Sequence, residues 1–484
     1  MVESTKISKE GLTVKKEDDF SEWYQQLMIK AELADYTKVS GCIVFRPKSQ
    51  WIWDKFVRAT DDLFRESGVE NVSFPMLIPE SLLLKEADHV EGFAPEVAWV
   101  THAGNSELSE RLAIRPTSEA IIYDSYAKWI RSYNDLPMRY NQWNSVIRWE
   151  FKNPVPFFRT REFQWNEGHS VFASAEEALN ERNDIIGIYD KVVGEMMALP
   201  GVAGMKTEKE KFAGAVSTEK IHYMLPNGRV IEGPCFHYDG QNFSKAYDIK
   251  FLGKDEKEDY VYQNTWAVTT RMLGTMFTVH SDDKGLVIPP KLSKNKIVIV
   301  PILFEDSRAE VLAKVEELKN ELKEFAPLSD LRADVSPGRK FAEWELKGIP
   351  LRIEVGPKDL EKGQVVVVKR NSGEKVSVLF GDLKVRLLEI LEEMQKELYD
   401  AAKKLLDSRM KSGENIDEVV GLVKDKNMVK VPFCKNEACE DKLKEILPGL
   451  KSLFVDSARG SVKGKHCVVC SKKAEYFLWV GRTY

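Results

Sequence analysis

Three arginines, Arg148, Arg159 and Arg161, fall between Arg148 and His169 together with the carboxylates Glu150, Glu162 and Glu167. Guanidinium groups stay charged at any relevant pH, and their planar forks match phosphate and carboxylate oxygens bidentately. Trp149, Phe157, Phe158, Phe163 and Trp165 interleave with them, more apolar surface than an idle exposed strand carries. The stretch therefore reads as the floor of a pocket for a polyphosphate. Residues 146–151 alternate apolar and charged, Asn153-Pro154-Val155-Pro156 interrupts, and 157–163 resumes, which predicts two strands joined by a loop.

A second chemistry lies in the cysteines. Cys434-x4-Cys439 and Cys467-x2-Cys470 form two close pairs, whereas Cys42 and Cys235 stand alone, Cys42 as an expected core residue. Four thiols at this spacing suit a tetrahedral Zn²⁺ better than disulfides. Four protein ligands leave no open position, so such a zinc is structural.

The elements that must position these groups are legible in outline. At 484 residues the chain holds about three domains. Its hydrophobic content is 43% and its charged content 30%, with no apolar run long enough for a membrane helix. The first twenty residues lack an apolar h-region, which points to a cytoplasmic location. A net charge of −5 argues against bulk affinity for nucleic acid, leaving room for a local basic face.

Helices are expected over 20–34, 51–66 and 176–197, each with apolar residues on one face. Thr101 to Leu112 reads as a polar loop, and Thr117-Ser118-Glu119 as a helix start with Thr or Ser as cap. Strands at 223–225 and 229–231 turn on Pro226-Asn227-Gly228. From Ile297 a β-α-β-α-β pattern with continuous apolar strands predicts a parallel or mixed sheet covered on both faces. A long amphipathic helix over 383–410 leads to the cysteine segment.

With these residues in place, the chain resembles the prolyl-tRNA synthetases of archaeal and eukaryotic type, a class II family, over nearly its whole length. The segment from Gly41-Cys42-Ile43-Val44 to Phe74-Pro75 is similar to the dimer-forming first motif of the class. Arg148 to His169 is similar to the second, and Thr269-Thr270-Arg271 with 282–290 to the third. FAPEVAWVT from Phe93, RPTSE from Arg115 and PGRKFAEWELKGIPLRIEVGPKD from Pro337 make the resemblance specific.

The resemblance implies an α+β fold. A class II antiparallel six-stranded catalytic sheet with helices would occupy 1–290, an α/β anticodon-binding domain 291–385, and a helix with a small zinc-binding α/β domain 386–484. It implies ATP-dependent attachment of L-proline to tRNA(Pro) through a prolyl-adenylate, with Mg²⁺ accompanying ATP and a homodimer as the working unit. Arg148 and Arg271 would be catalytic. Arg148, Arg159, Thr160, Glu232, Cys235, Thr269 and Arg271 would bind ATP, and Thr117, Glu119, Arg148, Trp165, Glu167, His169, Phe212 and His237 would bind proline, with Phe93 and Glu96 also forming its pocket. Glu345, Arg352 and Lys358 would read the anticodon, and Cys434, Cys439, Cys467 and Cys470 would hold the zinc. Tyr484 is expected to reach back toward the active site. The interval between the second and third motifs is too short for an inserted editing domain.

One segment departs from the family pattern. Glu232-Gly233-Pro234-Cys235-Phe236-His237 stands where a Gln-Gly-Ala-Thr-Ser-His type of sequence is expected. Two readings remain open: drift in a packed strand, or altered amino-acid selectivity in which Phe236 reshapes the pocket floor and Glu232 adds a Mg²⁺ ligand. A paralogue with altered specificity, or one that regulates without charging tRNA, is the corresponding alternative.

Overall fold

The computed structural model describes residues 11–87, 96–456 and 462–484. Its centre is a sheet whose six antiparallel strands we number in chain order: β1 (Met138–Ile147), β2 (Glu162–Phe172), β3 (Val202–Met205), β4 (Ser217–Met224), β5 (Arg229–Gly240) and β6 (Tyr262–Thr269). They lie side by side as β3-β4-β5-β6-β2-β1. Glu70–Asn71 adds a short parallel strand beside β1.

The back of this sheet carries the main core. Helix Ala175–Met197 starts at Ser174, whose hydroxyl accepts from the Glu177 amide, and buries Ile185, Tyr189, Val192 and Val193. Helix Pro47–Glu66, with proline in its first turn, adds Phe56 and Phe64. Phe64 lies 4.8 Å from Trp266 of β6. Trp266 sits over Gly168 of β2, where any Cβ would be 2.2 Å from the indole, so only glycine lets these strands pair. With Trp266 fully enclosed, truncating it to alanine costs roughly 3–5 kcal/mol.

Two expectations are corrected. The hairpin β1–β2 exists, but its strands end at Ile147 and begin at Glu162. The alternation in residues 148–161 therefore belongs to the connecting loop, which has only a Val155–Arg159 bridge of its own. Residues 101–112 are not a loop. They form most of a hairpin, Ala98–Ala103 with Ser106–Ile114, turning at Gly104 with φ +61°. A ladder that faces water on both sides satisfies its backbone without needing apolar residues, so its sequence reads as polar loop.

In the second domain, strand Ile297–Pro301 pairs in parallel with Leu328–Ser329 and Leu351–Val355, and Gln364–Lys369 and Lys375–Leu379 extend the sheet antiparallel. The expected mixed sheet is present. Helix Leu383–Arg409 begins on this domain's core through Leu383, Leu387 and Ile390 and continues past it, so a division at 385/386 falls inside one helix. Arg370 grips Asp282 bidentately, at 2.9 and 2.6 Å, tying this domain to the catalytic one.

The last domain builds on strands Met410–Ser412, Met428–Phe433, Leu450–Val455 and Tyr476–Thr483. It joins the catalytic sheet at two places, Val455 against Met205 of β3 and Arg229–Val230 of β5 against Arg482–Thr483. No described helix is long and apolar enough to cross a membrane.

Candidate active site

A cavity of about 460 Å³ opens on the front of the central sheet. Every residue expected at the ATP and proline sites lines it except Arg159. Phe93 lies outside the described residues. Glu96 is near but does not line the cavity; its carbonyl accepts from the Trp149 amide at 2.9 Å.

One end is acidic and already wired. Glu167 accepts from the Ser118 amide at 3.0 Å and hydroxyl at 2.5 Å, from Gln142 at 2.9 Å and from Asn144 at 2.6 Å. His169 Nε2 lies 3.5 Å away. Burial alone would raise the Glu167 pKa, but His169 and the donors from Ser118 and Asn144 outweigh it and hold the carboxyl below its usual range. The Thr117 hydroxyl donates to buried Glu119. Helix Glu119–Trp129 thus starts where expected, yet Ser118 makes no side-chain cap: its hydroxyl serves Glu167 instead. Phe212 and His237 form an aromatic wall with ring centres 4.7 Å apart. His237 bonds Thr218, and burial, reinforced by Lys220, pushes its pKa down to about 3, so the imidazole is neutral.

The other end is cationic. Arg148 donates from Nε to the Pro116 carbonyl at 2.9 Å and lies over the Trp165 ring at 5.1 Å, and no carboxylate among the described residues pairs with it. Arg271 opens helix Arg271–His280, donates to the Glu232 carbonyl at 3.2 Å, and has its pKa lowered chiefly by burial. The Thr269 hydroxyl accepts from the Arg271 amide at 3.1 Å. Arg159 instead flanks an adjoining cavity of about 200 Å³, where its guanidinium donates to the Tyr484 carbonyl and Tyr484 stacks on Phe158 at 4.6 Å. Arg161 faces away: it ties Ser40 and Phe151 carbonyls at 3.1 Å and covers Trp149.

In the divergent segment, strand parity separates the residues. Cys235 and His237 face the cavity, and burial raises the Cys235 thiol's pKa. Phe236 points to the opposite side, buried in the core against the back of the sheet, so it does not reshape the pocket floor. Nor does Glu232 offer free oxygens to Mg²⁺. Its carboxylate is held between Lys206 at 2.8 Å and Lys220 at 2.7 Å, which outweigh burial and keep it far below the usual range. Lys220 lines the cavity and escaped sequence reasoning; its only signal is the alternation of β4, which puts it across from Cys235. Asp239 was also missed. It is fully enclosed, neither oxygen has a hydrogen-bond partner, and burial followed by the nearby Glu119 raises its pKa well above normal.

Of the three expected anticodon residues, the structure joins two. Arg352 is buried, donating to Glu345 at 3.1 Å and to Glu354 at 3.0 and 2.9 Å. Lys358 is exposed on the following short helix, Pro357–Glu361, and no ion pair links it to either residue. The four sulfurs of Cys434, Cys439, Cys467 and Cys470 lie within 4.8 Å of one another, with Cys434 3.6 Å from Cys439 and 3.7 Å from Cys470. A Zn–S tetrahedron has S···S edges of about 3.8 Å, so the donor set fits such an ion.

Comparison with known proteins agrees with this geometry. The family model for the class II tRNA synthetase core domain of the G, H, P, S and T type matches residues 99–280, the anticodon binding domain 296–397, and the prolyl-tRNA synthetase C-terminal domain 416–484. The chain is 44% identical to a proline--tRNA ligase of Clostridium botulinum (strain Okra / Type B1), covering 97% of each. It is 43% identical to that of Clostridium novyi over the same shares, and 44% identical to a putative proline--tRNA ligase of Saccharomyces cerevisiae over 98% of this chain and 73% of the yeast protein. The chain belongs to the proline--tRNA ligase family of class II aminoacyl-tRNA synthetases.

Proposed function

We propose that this chain activates L-proline with ATP and transfers it to tRNA(Pro). The observation that carries this is one cavity with a buried carboxylate end and a cationic end, sized for two small substrates lying side by side. Glu119 and Thr117 receive the secondary ammonium of proline, with Glu167 holding their helix start in register. Trp165, Phe212, His169 and neutral His237 wall the ring. Arg148 draws the amino-acid carboxylate and the α-phosphate together, relieving the repulsion that keeps two anions apart in water. Arg271, held by the Glu232 backbone carbonyl, binds the triphosphate beyond with Thr269, Thr160 and Cys235, while Arg159 guards the outer edge.

The proline carboxylate attacks the α-phosphorus and pyrophosphate departs; no side-chain nucleophile is needed. A hydroxyl of the 3′-terminal adenosine then attacks the adenylate carbonyl and AMP leaves. Mg²⁺ accompanying ATP would supply the charge that offsets the departing pyrophosphate. The family names borne by the relatives and the intact pocket disfavour a non-charging paralogue. Proline-dependent ATP–pyrophosphate exchange, followed by charging of tRNA(Pro), tests the reading. A preference for alanine, cysteine or a proline analogue in the same exchange would overturn it.

Glu345, Arg352 and Lys358 form the anticodon-reading set, and the four cysteines hold a structural Zn²⁺. Metal analysis of the purified chain should give about one zinc per chain, and Cys467→Ser should lose it. The domains divide near 290 and along helix Leu383–Arg409, which starts on the second domain and leads into the third, and the enzyme acts in the cytoplasm as a homodimer. The exposed apolar side chains of Tyr36, Val39 and Val44, beside the first motif, support the dimer. Light scattering that finds only monomer would remove that part.

A further inference from the structure

The nucleotide end contains an arrangement that the two-substrate reading does not use. Glu232 accepts Lys206 Nζ on Oε1 at 2.8 Å and Lys220 Nζ on Oε2 at 2.7 Å. One carboxylate with two ammonium groups leaves one positive charge in excess. Lys206 cannot deliver that charge to a ligand, because its side chain is 2% exposed and its ammonium also donates to the Leu453 carbonyl at 2.8 Å. Lys220 can, because it lines the cavity with Arg271, whose guanidinium donates to the carbonyl of the same Glu232.

The anchor of this arrangement lies in another domain. Leu453 belongs to strand Leu450–Val455 of the C-terminal domain. Beside Lys206, the Thr207 hydroxyl donates to Glu440 at 3.0 Å, and Ser452 donates to the same oxygen at 2.5 Å. Gly204 allows the approach, since a Cβ there would lie 2.3 Å from the Phe454 ring. The pocket wall and the C-terminal domain are thus locked together at one lysine.

We propose that Lys220 is a further nucleotide-binding residue, aimed at the phosphates of ATP, and that Lys206 is the positioning residue that releases it for this role. By supplying Glu232 with a second counter-ion, Lys206 keeps Lys220 from being neutralised by Glu232 alone. Docking of the C-terminal domain, through the Leu453 carbonyl, sets where Lys206 stands. The inference rests on the adenylation reading and extends it by one ligand and one control residue.

The test is calorimetric titration of ATP with Mg²⁺ into the full chain, without proline. Lys220→Met should weaken ATP binding at least about tenfold, the equivalent of one lost hydrogen bond to a charged group, and leave the proline KM unchanged in exchange assays. Lys206→Met should weaken ATP similarly. Adding Glu232→Gln to Lys206→Met should restore affinity to within about threefold of wild type, because a neutral amide no longer captures Lys220. A purely structural Lys206 would show no such rescue. Unchanged ATP affinity in Lys220→Met, or no rescue in the double variant, overturns the inference while leaving proline-dependent exchange intact. A wild-type chain that fails to bind ATP at all overturns the adenylation reading itself.

Discussion

Arg148 in the catalytic pocket and Arg352 in the anticodon-binding domain are the same side chain in opposite circumstances. Arg148 spends one donor on a backbone carbonyl and lies against an indole, with no carboxylate among the described residues to neutralise it. Arg352 is buried, covers Phe341 at 4.0 Å, and is saturated by Glu345 and Glu354. The cavity beside Arg352 is about 10 Å³, against about 460 Å³ at the pocket. Under the proposed roles, Arg148 stands preorganised for an anion, whereas Arg352 would have to exchange its carboxylates for a base edge. A preorganised donor contributes most to rate, and an exchanged donor contributes mainly to discrimination.

The sharpest way to break this contrast is Arg148→Ala. Exchange should fall by about two to three orders of magnitude, with little change in melting temperature because no ion pair is lost. Retained exchange would mean that Arg148 is not the preorganised group. Next, Glu167→Gln should raise the proline KM by roughly tenfold or more, since the amide must turn an N–H toward donors, while ATP affinity measured without proline stays unchanged. If both move together, the two ends of the pocket are not separable.

On the other side of the comparison, Arg352→Ala should raise the tRNA KM by about tenfold, within the 1–3 kcal/mol of one bidentate base contact, with exchange nearly intact. Equal losses in both assays would contradict the assignment. The smallest effect belongs to Asp239, a buried acid whose oxygens make no hydrogen bond where Arg352 makes three. Its folded pKa is raised, so its contribution to stability is present below the unfolded value near 4 and is lost as pH rises through the folded value. Asp239→Asn should accordingly raise the melting temperature by a few degrees at pH 7 and by nothing near pH 4. A pH-independent change would refute the buried neutral acid.

Much of this site was readable from residue types and spacing. Arg148, Glu119, Glu167 and His237 line the cavity because their motifs are local: strand parity turns Glu167 and His237 to its face, while a helix start and the loop after β1 bring Glu119 and Arg148. Arg159 and Arg161 were misplaced because period-two alternation says nothing about where a strand stops; Pro154 and Pro156 turned the chain, but hydrogen bonding ended β1 earlier. Phe236 could have been placed by parity alone: if Cys235 and His237 face the cavity, the residue between them cannot. Lys220 left only the alternation of β4 as a signal, and its pairing with Lys206 through Glu232 left none, because links across 26 and 12 residues of sequence, with a carbonyl from another domain, are not periodic. The α/β domain was legible since continuous apolar strands alternating with helices are themselves periodic, but the ion pairs that occupy Arg352 were not.

The junction of Val455 with Met205 has a consequence for solubility. Strand β3 ends the catalytic sheet, and without a neighbour it would present a row of unpaired amides and carbonyls, the template on which sheets of separate molecules join. The C-terminal domain meets that row at Met205, through Val455. A chain cut before Met410 would uncover a sticky border as well as lose the cysteine cluster, and its first defect would be molecules adding to one another edge to edge.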